Sequence, residues 1–119
     1  MIQLSHKKLE VWKKSLELIL EVYSITNKFP KEELFSLTNQ IRRASISIIS
    51  NLSEGASRKS SLEKKRFFEI SRSSLVEIDT QIEVALKLDY LNDNDIKKLA
   101  KLSNEIFAML TSLIKKYSK

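Results

Sequence analysis

Apolar residues return every three or four positions along nearly the whole chain. That is the period of an amphipathic helix, not the two-residue alternation of a strand. Between about Lys7 and Thr26, Leu9, Trp12, Leu16, Ile19 and Tyr23 form one stripe, with Lys8, Lys13, Lys14, Glu17 and Glu21 off it. A second helix is predicted over residues 30–54, faced by Leu37, Ile41, Ala44, Ile48 and Leu52. Pro30 suits its first turn, Glu32 and Glu33 suit its positive end, and Gly55 suits a left-handed stop. The third, over 61–88, is faced by Phe68, Ser71, Leu75, Ile78, Ile82 and Leu86, with Ser60 or Ser61 as its cap. A turn at Leu91-Asn92-Asp93-Asn94-Asp95 leads into the fourth, over 93–117, faced by Leu99, Leu102, Ile106, Leu110, Leu113 and Tyr117. Short connections between four such helices predict an all-α, antiparallel up-down-up-down four-helix bundle, a single domain over 1–119.

Two features exceed what a simple bundle needs. Along the border of the second helix run Gln40, Arg43, Ser47, Asn51 and Glu54, and the third carries Glu77 and Gln81 in a stripe with small serines. Polar groups in a helix seam must find partners, so Gln40, Arg43, Asn51, Glu54, Glu77 and Gln81 are expected to form a structural polar network, with Arg43 neutralising Glu77. Extra apolar strips also remain: Ile46 and Ile49 on the second helix, and Ala100, Phe107 and Ile114 on the fourth. Self-association is their simplest use.

Composition sharpens the picture through charge. The chain carries a net charge of +6. Residues 1–57 hold 8 Lys and Arg against 6 Asp and Glu, residues 73–119 hold 7 against 7, and residues 58–72 hold 6 against 2. The excess therefore concentrates at one loop and the turns after it, where Arg58, Lys59, Lys64, Lys65 and Arg66 are candidate phosphate contacts. A solvated helix entry is the plainer reading of the same run. Phe67, beside Lys64 and Arg66, is a candidate for base stacking.

Catalysis finds few footholds. The only histidine is His6, expected at the surface near the terminus, and there is no cysteine, no glycine-rich phosphate loop and no Glu-x-x-His pair. No enzyme activity, metal or cofactor is expected. Without cysteine, a signal-like apolar N-terminus or an apolar run of about 18 residues, the setting expected is cytoplasmic and off the membrane.

Val11-Trp12-Lys13, Phe29-Pro30-Lys31-Glu32-Glu33 and Leu37-Thr38-Asn39-Gln40-Ile41-Arg42-Arg43-Ala44 resemble one family throughout, as do Ser47-Ile48 through Asn51-Leu52-Ser53-Glu54-Gly55 and Ser74-Leu75-Val76-Glu77-Ile78. The family is that of the four-helix-bundle proteins encoded in intervening sequences of bacterial 23S ribosomal RNA genes. The accessory protein of diversity-generating retroelements is similar too. The resemblance implies an antiparallel bundle, a homopentameric ring with a basic surface, and contact with nucleic acid or a reverse transcriptase. Ile49-Ser50 stands where the family often has proline, and Ser73-Ser74 where it often has Gly-Ser. The reading is thus a non-catalytic, self-assembling basic bundle that binds RNA or a ribonucleoprotein. The alternative is a protein-interaction scaffold, for example an accessory subunit of a reverse transcriptase.

Overall fold

A computed structural model describes residues 1–118. Four α-helices make up the chain: α1 (Glu10–Thr26), α2 (Leu37–Ser57), α3 (Ser61–Lys87) and α4 (Lys97–Lys116). Single 3-10 turns lie at Ser5–Lys8 and Lys31–Glu33. Each helix packs on its neighbours in sequence, and α1 also packs on α4, which closes the square.

Side-chain pairs fix the helix directions. Trp12 at the start of α1 donates to Ser53 near the end of α2 (3.0 Å), while Arg42 at the start of α2 reaches Thr26 at the end of α1 (2.9 Å). Ser71 of α3 donates to the Ile48 carbonyl (2.7 Å), Arg72 to Thr111 (3.1 Å), and Lys14 pairs with Glu105 (2.9 Å). Every neighbouring pair therefore runs antiparallel, as the sequence predicts.

The core is aliphatic, with Leu18, Val22, Ile41, Ile48, Leu52, Ile78, Ile106 and Leu110 sealed from solvent. The stripe read on α1 is only partly the buried one: Ile19 is buried and Trp12 packs against the core as expected, but Leu9, Leu16 and Tyr23 are not buried. Val11, Leu18, Val22 and Ile25 point inward, and Leu9, Leu16 and Tyr23 are left about 40 % exposed along the edge facing α2. Ser15 takes an inward position because its hydroxyl donates to the Val11 carbonyl (2.7 Å), which satisfies it without a partner helix.

The α2–α3 seam is the closest in the bundle, and serine makes it so. Ser71 is fully buried, and Ser47 and Ser74 meet at 2.9 Å. Gly55 completes the seam. A Cβ there would lie 2.7 Å from Phe68 and 3.1 Å from Phe67. This corrects the expected left-handed stop: no glycine has positive φ among the described residues, and α2 continues through Gly55 to Ser57. The residue that does turn left-handed is Asp89, at φ 61°. There the Asp89 and Tyr90 amides donate to the Leu86 and Ala85 carbonyls, a Schellman closure of α3.

Helix two also begins later than expected. Pro30 opens only a 3-10 turn, and α2 starts at Leu37, whose amide donates to Glu33 Oε1 (3.3 Å). The other Glu33 oxygen accepts from the Tyr90 hydroxyl (2.8 Å), so a contact from the α3–α4 loop arrests the turn. His6 is buried rather than at the surface, its ring 6.3 Å from that of Trp12.

Candidate nucleic-acid interface

The basic run begins where α2 ends. Arg58 leaves the helix in an extended conformation, and Ser60 caps α3 by accepting from the Glu63 amide (3.1 Å) while donating to the Glu63 carboxylate (3.1 Å). This Ser60 cap makes the connection only a few residues long. Arg58, Lys59, Lys64, Lys65 and Arg66 are thereby gathered at one end of the bundle.

They are not equivalent there. Lys64 donates to the Ala56 carbonyl (3.0 Å) and the Gly55 carbonyl (3.4 Å), so it satisfies the last turn of α2. Arg58 is held by Glu54 (3.1 Å) and Glu63 (3.7 Å) and lies over the Phe67 ring at 5.0 Å. That cover leaves Phe67 half-buried, with one ring face occupied. Among the described residues Lys59, Lys65 and Arg66 make no ion pair; Lys59 and Arg66 are exposed and Lys65 is half-buried.

The fold adds cations that the linear run does not contain. Phe68 packs on Tyr117, 5.9 Å between ring centres, and this brings the end of α4 onto the start of α3. Lys116 and Lys64 both lie over the Tyr117 ring, at 5.4 and 5.8 Å. Lys115 is exposed beside them. The Trp12–Ser53 bond brings Lys7 and Lys8 to the same end. Cut across its middle, near residues 18, 47, 74 and 106, the bundle has 12 Lys and Arg against 5 Asp and Glu in this half. The other half has 8 against 10. The whole positive excess of the described chain therefore sits at one end. The signal for Lys7, Lys8, Lys115 and Lys116 was the up-down topology itself, which puts both chain ends beside the second connection.

The polar row is divided rather than continuous. Asn51 donates to the Ser47 carbonyl (2.8 Å) and hydroxyl (3.0 Å), and Glu54 serves Arg58. Gln40 is exposed and makes no side-chain hydrogen bond. The expected Arg43–Glu77 pair does not form. Both side chains are exposed, Glu77 accepts from Gln81 (3.0 Å), and Arg43 has no ion-pair partner. Close serine contacts draw the α2 and α3 backbones together and leave both long side chains outside the seam. Gln81 itself is buried, with Oε1 unpartnered.

In the opposite half anions slightly outnumber cations, 10 to 8. Lys28 pairs with Asp95 and holds its carboxyl below the usual carboxylate range, aided by the Asn92 amide. The Glu33 bond pushes the Tyr90 hydroxyl above its ordinary value. Midway along the bundle, the Lys14 ammonium is raised by its bond to Glu105.

The sequence profile of the 23S rRNA-intervening sequence protein family matches residues 7–112. Among solved structures, the chain is similar to a Bacteroides thetaiotaomicron protein of unknown function from the S23 ribosomal protein family. The TM-score is 0.80 at 24 % identity, over 88 % of this chain and 98 % of that one. That likeness speaks for the fold. No curated protein matches the sequence. Among the described residues, no helix is long and apolar enough to cross a membrane.

Proposed function

The chain belongs to the 23S rRNA-intervening sequence protein family, and on that footing we propose that it is a non-catalytic, self-assembling cytoplasmic bundle whose basic end binds RNA or a ribonucleoprotein. The observation that carries this reading is the segregation of charge. One half of the bundle holds 12 cations against 5 anions, and among the described residues Lys59, Lys65, Arg66, Lys115 and Lys116 there have no carboxylate partner. Phosphate backbones are bound by such clusters at low geometric cost, with counterion release as the driving term. Assembly into a ring, for which the family resemblance favours five copies, repeats the patch and raises avidity without a new contact.

Arg58 and Lys64 act mainly as organisers. They fix the α2–α3 connection and present Lys59, Lys65 and Arg66 outward. Base recognition is weak on this surface, because Phe67 is covered on one side by Arg58. Modest sequence preference follows.

Titration of the assembled protein with structured RNA, single-stranded RNA and duplex DNA across a salt series tests the reading. RNA affinity should fall with salt at a log–log slope of about −0.7 per phosphate contact on single strands. No binding at low salt with the oligomer intact would favour a protein-interaction scaffold instead, its basic end meeting an acidic partner.

A further inference from the structure

Two recesses on opposite long sides of the bundle differ in the sign of the charges that line them and in relief. On the α1–α2 side, Arg42 is held by neutral groups only. Its Nε donates to Thr26 Oγ1 (2.9 Å), its Nη2 donates to Asn27 Oδ1 (3.1 Å), and the guanidinium lies 4.6 Å from the Tyr23 ring centre. Arg43 beside it is exposed and unpaired, and the recess that both line with Tyr23, Asn39, Ile46 and Ser47 contains no carboxylate. The positive charge is thus fixed in place and uncompensated. Apolar relief stands next to it: Leu16 lies on the α1 row between Trp12 and Tyr23, Leu20 is 71 % exposed, and Ile46 is 42 % exposed.

Across the molecule, α3 and α4 enclose an apolar groove of about 390 Å³. Leu75, Ile78, Ile82 and Leu99 form its buried floor, and Val76 and Phe107 are half-exposed at its lips. The only charged side chains lining it are Asp79 and Glu83, both exposed and in no ion pair. Arg72 lies 5.6 Å from the Phe107 ring centre at one end of the groove and donates to Thr111, outside the lining.

We propose that these two sides are the two halves of one head-to-tail interface between copies of this chain. The apolar relief of α1 and α2 seats on the α3–α4 groove of the next copy, with Arg42 and Arg43 against its Asp79 and Glu83. The inference rests on the self-assembly proposed above and adds which surfaces meet. Either recess facing its own copy would set like charges together, Arg42 and Arg43 on one side or Asp79 and Glu83 on the other, which disfavours a two-fold pairing. Different patches in contact make a heterologous interface, which closes a ring when the rotation between copies allows. A side of the bundle, 43 Å long and 22 to 30 Å wide between Cα atoms, has room for the about 800 Å² per partner of a standard interface. The basic end, where all four helices terminate, stays clear of these sides and points the same way in every copy of a closed ring.

Charge reversal tests the pairing. The full chain, R42E/R43E, D79K/E83K and the variant carrying all four changes are compared by light scattering at micromolar concentration, with circular dichroism as the check on folding. Each one-sided variant should fall to the 13.8 kDa of the single chain, and the four-fold variant should recover the wild-type mass. Should R42E/R43E unfold through loss of the Thr26 and Asn27 bonds, R43E alone replaces it. A wild-type oligomer whose mass neither one-sided variant changes, or whose loss the four-fold variant does not rescue, overturns the inference and leaves self-assembly standing. A monomeric wild type overturns the self-assembly reading itself.

Discussion

At the end of the bundle where α1 stops and α4 begins, charged side chains hold loops. Lys28 ties Asp95, Asp95 and Asn92 exchange backbone contacts across the α4 entry, and Glu33 joins the start of α2 to Tyr90. At the other end the loops are held largely by a capping serine, a lysine on carbonyls and stacked aromatics, while five cations have no carboxylate partner among the described residues. The two ends are built from the same helices. What separates them is the balance of charge: 12 cations stand with 5 anions in the basic half and 8 with 10 in the other, so only the basic end carries a surplus that another molecule can neutralise.

That contrast can be strained from either end. Gly55→Val forces α2 away from Phe67 and Phe68 at the basic end. Urea unfolding should show a loss of about 1–3 kcal/mol, the usual cost of overpacking. A loss near zero would mean that the serine–glycine seam is looser than its contacts indicate. At the other end, Asp89→Gly relieves a left-handed residue and should raise stability by roughly 0.5–1 kcal/mol in the same assay. Glu77→Ala, between the two, should cost under about 1 kcal/mol because the side chain is exposed; a buried pair with Arg43 would give about 3–5 kcal/mol instead.

The smallest effect expected is on pH dependence. Asp95 is lowered by Lys28 first and then by the Asn92 amide. Its contribution is therefore present above the unfolded carboxylate value of about 3.9 and is lost as pH falls through the lower folded value. Asp95→Asn should reduce stability near neutral pH, with the difference from wild type closing in strong acid. A difference that persists unchanged at low pH would assign the contribution to packing.

Much of this architecture is written in local pattern. The faces of α2 and α3 can be read directly, since Ile41, Ile48 and Leu52 and Phe68, Leu75 and Ile78 repeat without competition. The cap of α3 is legible down to two adjacent serines, Ser60 or Ser61, of which Ser60 takes the role. α1 is not, because two apolar stripes compete on it and only packing selects Val11, Leu18 and Val22 over Leu9 and Leu16. Gly55 misleads because a glycine near a helix end suits both a turn and a close approach, and only the position of Phe68 decides. Arg43 and Glu77 share a height on facing helices, but the backbone spacing set by Ser47, Ser71 and Ser74 is what excludes them. The basic run at 58–66 is visible in the chain. Its extension to Lys7, Lys8, Lys115 and Lys116 requires the ends of α1 and α4 to be placed beside it, which is tertiary information.

Location of charge, rather than its amount, is the central claim, and two variants of equal net charge test it. One replaces Lys59, Lys65, Arg66, Lys115 and Lys116 with glutamine. The other replaces Lys31, Lys87, Lys97, Lys98 and Lys101, five cations of the opposite half. RNA affinity is then measured across a salt series for both. The basic-end variant should lose most of its affinity, with a slope flatter by up to about 3 to 4, at about 0.7 per contact removed, and the opposite-half variant should keep both close to wild type. Equal losses in the two variants would show that RNA responds only to total charge, and would contradict the assignment of the basic end as the binding surface.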